Sequence, residues 1–151
     1  VDLPITGTTG VECRSGGAAG EHLLVWTFGK NVNFTTAALT SGTGAVSAVS
    51  GNGGRIIQVQ LRGRKDAQNA MITLFNLTDG TSTTNLSVPL SLLVGDANGD
   101  RVVNSADVTQ MRNRSGQNAN GLNFRSDFNV DGFINSADAT AVRSLSGNSV
   151  P

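Results

Sequence analysis

The chain has 151 residues, 38% of them hydrophobic and only 15% charged, with Lys+Arg 11 balanced by Asp+Glu 11. Zero net charge removes the electrostatic case for a nucleic-acid binder or a polybasic membrane-surface binder, and no apolar run reaches the ~20 residues that span a bilayer. A lone cysteine, Cys13, excludes an internal disulfide, and a lone histidine, His22, leaves little for a zinc site or a Ser-His-Asp triad. Beginning at Val1 without a signal-like segment, the chain reads as a mature form or an excised piece of a larger protein.

The N-terminal part, residues 1–94, reads as an antiparallel β-sandwich. Short runs at Val11–Arg14, His22–Phe28, Phe34–Thr40, Ala45–Ser50, Ile56–Leu61, Ala70–Leu77 and Leu86–Leu92 are separated by turn signals such as Gly51-Asn52-Gly53-Gly54 and Asp79-Gly80. Alternation places Leu24, Trp26 and Phe28 on one face, as it does Ile57, Val59 and Leu61. Leu86, Val88, Leu90 and Leu92 oppose Ser87, Pro89 and Ser91. About 95 residues suffice for one core.

Little chemistry resides in this part. His22 reads as a polar residue at a strand edge, and Cys13 as a buried, inert thiol. Trp26 reads as core rather than as a sugar-stacking platform, and no Tyr is present to build one. Arg62, Arg64 and Lys65 read as a solvated loop after a strand.

Residues 95–151 carry the strong signal, holding six of the eleven carboxylates. The stretch 95–116 repeats at 126–147 with half the positions identical, at an offset of 127 − 96 = 31. Each copy contains D-x-N-x-D and then, after three residues, N-S-A-D. Asp96, Asn98, Asp100 and Asp107 fall at loop positions 1, 3, 5 and 12, as do Asp127, Asn129, Asp131 and Asp138. Alternate residues of a tight loop can aim side-chain oxygens at one point. The position-7 carbonyls, of Val102 and Phe133, add a ligand, and the position-12 carboxylates close the shell from the start of a helix. Asn104 and Asn135, at position 9, act through water or brace the loop. Hard cations take roughly six to eight oxygen ligands, so this all-oxygen set predicts two calcium ions rather than zinc.

The repeat resembles a type I dockerin, the calcium-binding module that plugs into cohesin domains of bacterial polysaccharide-degrading assemblies. The resemblance spans residues 95–148. It implies a loop followed by a helix of about ten residues in each copy, with Val108 and Met111, then Ala139 and Val142, on the inner helix faces. Val103 and Ile134 would pack the loops together. Recognition residues in such modules correspond here to Ser105, Ala106, Arg112 and Asn113, and to Ser136, Ala137, Arg143 and Ser144. The usual basic pair is reduced to one Arg per copy. Arg101 stands where the second loop has Gly132 and where left-handed backbone is expected.

These readings give a mainly β sandwich (1–94; cohesin-like, carbohydrate-binding-like or Ig-like) followed by a small α-helical dockerin-like module (95–151) with two calcium loop-helix repeats. The expected function is a secreted or cell-surface, non-catalytic anchoring unit linked to polysaccharide degradation. Its partner would be a cohesin-like domain, in trans or the chain's own sandwich, with polysaccharide as a further candidate and no nucleic acid or membrane insertion. The alternatives are a calcium-stapled structural unit without an external partner, and a carbohydrate-binding module. No linker separates Leu86–Val94 from Gly95-Asp96, so the two parts are expected to pack together. The small module's expected core is Val103, Val108, Met111, Leu122, Phe124, Ile134, Val142 and Leu145. Domains this small usually need a metal staple, so metal removal is expected to unfold 95–151 and leave the sandwich standing.

Overall fold

The computed structural model describes residues 3–4 and 7–151. Seven strands come first: β1 (Val11–Glu12), β2 (His22–Val32), β3 (Thr36–Ser41), β4 (Ala45–Ser50), β5 (Gly54–Arg62), β6 (Gln68–Thr78) and β7 (Thr83–Leu92). Helices α1 (Ser105–Arg114) and α2 (Ser136–Ser144) follow, separated by a 3-10 turn at Phe124–Ser126. The strands form two sheets, ordered β1-β7-β6-β3 and β2-β5-β4.

Alternation along each strand decides which side chains enter the core. Ile57, Val59 and Leu61 of β5 are buried, as are Leu24 of β2, Ile72 and Leu74 of β6, and Leu90 and Leu92 of β7. They form one cluster drawn from both sheets, against which Trp26 and Phe28 pack part-buried. The tight connection from β4 to β5 depends on Gly51, whose φ of +91 is open to glycine at no steric cost. A Cβ there would overlap the Ile56 carbonyl oxygen.

Three strand-level expectations are corrected. β1 pairs parallel to β7, Val11 opposite Ser91 and Glu12 opposite Leu92, so the architecture is not wholly antiparallel. Parallel neighbours need a long connection, and here strands β2 to β6 supply it. Ser91, expected on the outer face, is fully buried beside its β1 partner Val11. Its N–H donates to the Gly10 carbonyl at 2.9 Å and its hydroxyl bonds Asn69 Oδ1 at 2.7 Å. Arg64 is half-buried rather than solvated, with Nη2 donating to the Arg14 carbonyl at 2.9 Å.

A second core surrounds the helices. Val103, Met111, Phe128, Ile134 and Val142 are buried there with Leu93 and Val94, which follow β7, and with Val11 and Cys13 from the N-terminal segment. Segment 10–15 is threaded through this region. Leu93 N–H donates to the Glu12 carbonyl at 3.0 Å, Gly95 N–H to Cys13 at 3.0 Å, and Ser15 N–H to Phe128 at 2.7 Å. Leu122 is not part of this core: it is 91% exposed. Its expected place is taken by Phe128, at 0% exposure. Phe124 is half-buried beneath the Arg14 guanidinium, 5.0 Å from its ring centre.

Candidate metal centre and recognition helices

The two loops match almost bond for bond. In the first, Asp96 Oδ1 accepts from Gly99 N–H at 2.7 Å and Asp100 N–H at 3.1 Å, while Oδ2 accepts from Arg101 N–H at 3.0 Å. In the second, Asp127 accepts from the N–H groups of Asp131 and Gly132, each at 3.1 Å. Asp107 reaches back to the N–H groups of Ala97 and Asn98, and Asp138 to those of Phe128 and Asn129. Asp100 and Asp131 accept from the N–H two residues on, at Val102 and Phe133. Each loop is thereby curled around its position-1 and position-12 carboxylates.

Position 9 caps the helix. Asn104 Oδ1 accepts from Ala106 N–H at 2.7 Å, and Asp107 returns the favour by accepting from Asn104 N–H at 2.8 Å. Asn135 and Asp138 repeat this box on α2. Such caps satisfy N–H groups that a helix start leaves without partners. The carboxylates also sit at the favourable end of the helix dipole. These bonds brace the start of each helix, one of the two roles expected for these asparagines.

Among the described residues four non-glycines have left-handed backbone, two of them, Arg101 and Val130, in the loops and two, Ala67 and Asn76, in the β-rich part. Arg101 has φ +73, as expected from its register with Gly132 at φ +89. Val130 has φ +62, where the first loop places Gly99. A β-branched residue in left-handed backbone carries a steric cost of roughly 1–2 kcal/mol. Val103 and Ile134 are both fully buried in the same cluster. Their backbones pair across the repeat: Val103 N–H donates to the Asn148 carbonyl, beyond α2, and Ile134 N–H to Gln117, beyond α1.

Electrostatically the loops are acidic and largely dry. Asp96, Asp107 and Asp138 are 0% exposed and Asp127 is 5% exposed, whereas Asp100 and Asp131 face solvent. Among the described residues the ion pairs are Glu12–Arg14 and Lys30–Asp79, neither of them in the loops. Burial raises the Asp96 carboxyl above its usual range against the pull of the Arg101 and Gly99 N–H bonds, and the Asp107 charge adds to the rise. Asp131 is held low, chiefly by the Phe133 N–H.

Among the described residues no three His, Cys, Asp or Glu side chains are drawn together as a metal-holding group. The donor set of each loop is mixed, since an Asn amide and a main-chain carbonyl accompany the carboxylates. That set fits a hard divalent cation by its chemistry: oxygen throughout, carboxylates in the majority, and no cationic side chain paired to them.

The outer helix surfaces are open. Ser105, Ala106, Arg112 and Asn113 on α1 are exposed, and so are Ser136, Ala137, Arg143 and Ser144 on α2. Ser105, Ala106, Thr109, Gln110, Asn113 and Arg114 line a shallow depression. The buried sides of the helices, through Met111 and Val142, face the second core.

Outside the repeat, the sequence candidates stay quiet. Burial pushes the Cys13 thiol up to about 12, and it donates to the Arg125 carbonyl at 3.4 Å. His22 lies half-buried on the outermost strand of its sheet, its Nε2 buried without a partner among the described residues. Burial first, and then the Arg64 charge, bring its pKa down to about 4. Sequence reasoning missed Arg125 and Phe128. An isolated Arg in a loop announces no partner, and Phe128 sits at a position where the first repeat has a small residue, Ala97.

Residues 94–144 match the family model described as the dockerin type I domain. This segment, following a β-rich region, is a type I dockerin module. Dockerin domains bind calcium and dock onto cohesin domains, so calcium-dependent protein–protein interaction is the class of function this module defines. Neither the curated proteins nor the solved structures gave a match. No helix among the described residues is long and apolar enough to cross a membrane.

Proposed function

We propose that this chain is a non-catalytic, calcium-dependent docking unit of a larger secreted bacterial protein concerned with polysaccharide degradation. A β-sandwich (1–94) carries a dockerin module (95–151), and the two are packed together. The observation that carries this reading is the doubled loop-and-capped-helix arrangement with both outer helix surfaces exposed. Asp96, Asn98, Asp100, Val102 and Asp107 would hold one calcium ion, and Asp127, Asn129, Asp131, Phe133 and Asp138 the second. Asn104 and Asn135 brace the loops. Bound calcium would supply the positive charge that the buried carboxylates otherwise lack, and metal binding free energy becomes folding free energy in a module this small.

The exposure of Ser105, Ala106, Arg112 and Asn113 and of their counterparts on α2 favours a cohesin-like domain in trans over the chain's own sandwich. A pull-down of the whole chain with cohesin domains, in calcium and in EGTA, tests this. Capture in calcium alone supports it, and no capture by any cohesin speaks for the second reading. In that reading the repeat is a calcium-stapled structural cap without an external partner. The burial of Val11, Cys13, Leu93 and Val94 among the helices favours it. A carbohydrate-binding role finds less support, since Trp26 packs part-buried against the sandwich core.

A further inference from the structure

Arg125 is the centre of the 3-10 turn, two residues before the second loop opens, yet its side chain acts elsewhere. Nη2 donates to the Asp96 carbonyl at 2.7 Å, Nε to Ala97 at 2.8 Å and Nη1 to Val11 at 2.9 Å. One guanidinium therefore joins the second repeat, the first two residues of the first loop, and β1. Its fixed fork of donors suits three divergent carbonyls, as an ammonium would not.

The repeat itself shows that this tie is one-sided. At the offset of 31, the counterpart of Arg125 is position 125 − 31 = 94, which is Val94. The second loop thus has no guanidinium of its own. Its Phe128 carbonyl, the counterpart of Ala97, instead takes the Ser15 N–H at 2.7 Å.

We propose that Arg125 is a positioning residue that couples calcium binding in the first loop to the stability of the β-domain. This rests on the calcium reading above. The Asp96 backbone is held by Arg125 while the Asp96 carboxylate gathers the N–H groups of Gly99, Asp100 and Arg101. Fixing that backbone fixes a calcium ligand, and the third bond passes the constraint to β1 and so to β7. Calcium in the first loop then stabilises strands that the sequence alone would leave independent of the metal.

Trp26, the single tryptophan, reports on the β-domain from its part-buried place against the core cluster. Urea unfolding of the full chain is followed by Trp26 fluorescence in excess calcium and in EGTA. Calcium affinities are measured by calorimetry, with Asp131→Ala leaving the first loop to report and Asp100→Ala the second. Calcium is expected to raise the Trp26 midpoint in the wild type and in the Asp131→Ala chain. Arg125→Gln is expected to weaken the first loop by roughly 10–100-fold, as loss of a group supporting a ligand typically does, and to leave the second within about twofold. It should also abolish the calcium-dependent rise of the midpoint, while Arg125→Lys, which keeps the charge but not the fork, retains part of it. Should Arg125→Gln not fold, the wild-type midpoints and the Lys variant still decide. Calcium binding at both loops with an unmoved Trp26 midpoint would overturn the coupling alone, as would equal weakening of both loops. No calcium binding by the wild type would overturn the calcium reading beneath it.

Discussion

Replacing Phe128 by Ala removes the largest fully buried side chain of the second core. The ring packs among residues from three sources: Val11 and Cys13 of the N-terminal segment, Leu93 and Val94 after β7, and Ile134 and Val142 of the second repeat. The backbone bonds of Phe128, from its N–H to Asp138 at 2.8 Å and from Ser15 to its carbonyl at 2.7 Å, survive the change. The loss is therefore transfer energy plus a cavity, about 3–5 kcal/mol for a buried Phe. Whole-domain stabilities are typically about 5–15 kcal/mol, so this variant should sit near the edge of folding. With a urea slope of roughly 1–3 kcal/mol/M, the midpoint by far-ultraviolet circular dichroism should fall by about 2 M. Leu122→Ala is the matched control. Leu122 was expected in the small module's core, but at 91% exposure its truncation should stay within about 0.5 kcal/mol. A Phe128 variant within about 1 kcal/mol of wild type, or a Leu122 variant as damaged as a buried leucine, would refute the packing described.

His22 gives a pH dependence. Its folded pKa of about 4 lies below the ordinary 6.5, so the unfolded chain takes the proton first. The stability it contributes is complete above pH 6.5 and lost as pH falls toward 4; urea midpoints from pH 6.5 to 5 should decline in wild type and flatten in His22→Gln. Cys13, fully buried with its thiol at about 12, should resist an aromatic disulfide reagent at pH 8 until urea unfolds the chain, and rapid labelling of the folded protein would contradict its burial. Val130→Gly should gain up to about 1 kcal/mol by relieving left-handed strain, less the entropy glycine adds to the unfolded chain; a loss in the urea midpoint would speak against strain at φ +62.

The two loop-and-helix repeats were the most legible part of the sequence because their logic is local. Ligand spacing, caps and the turn at Arg101 all lie within about a dozen residues of one another, and the second copy repeats them. Strand faces were legible for the same reason wherever period-two alternation held, as in β5. What escaped depends on partners far along the chain. Ser91 pairs with a strand some eighty residues earlier, and nothing in its own neighbourhood distinguishes it from Ser87. Phe128 outranks Leu122 because the threaded segment 10–15 closes over one and not the other. Arg125 acquires its partners only when the 3-10 turn, the first loop and β1 meet.

The most direct test of the calcium account is calorimetric titration of the metal-stripped whole chain with calcium. Two ions per chain are expected, with Asp100→Ala and Asp131→Ala each reducing the count to one. A stoichiometry of one or none for the unmodified chain would contradict the reading of Asp96–Asp107 and Asp127–Asp138 as paired calcium loops.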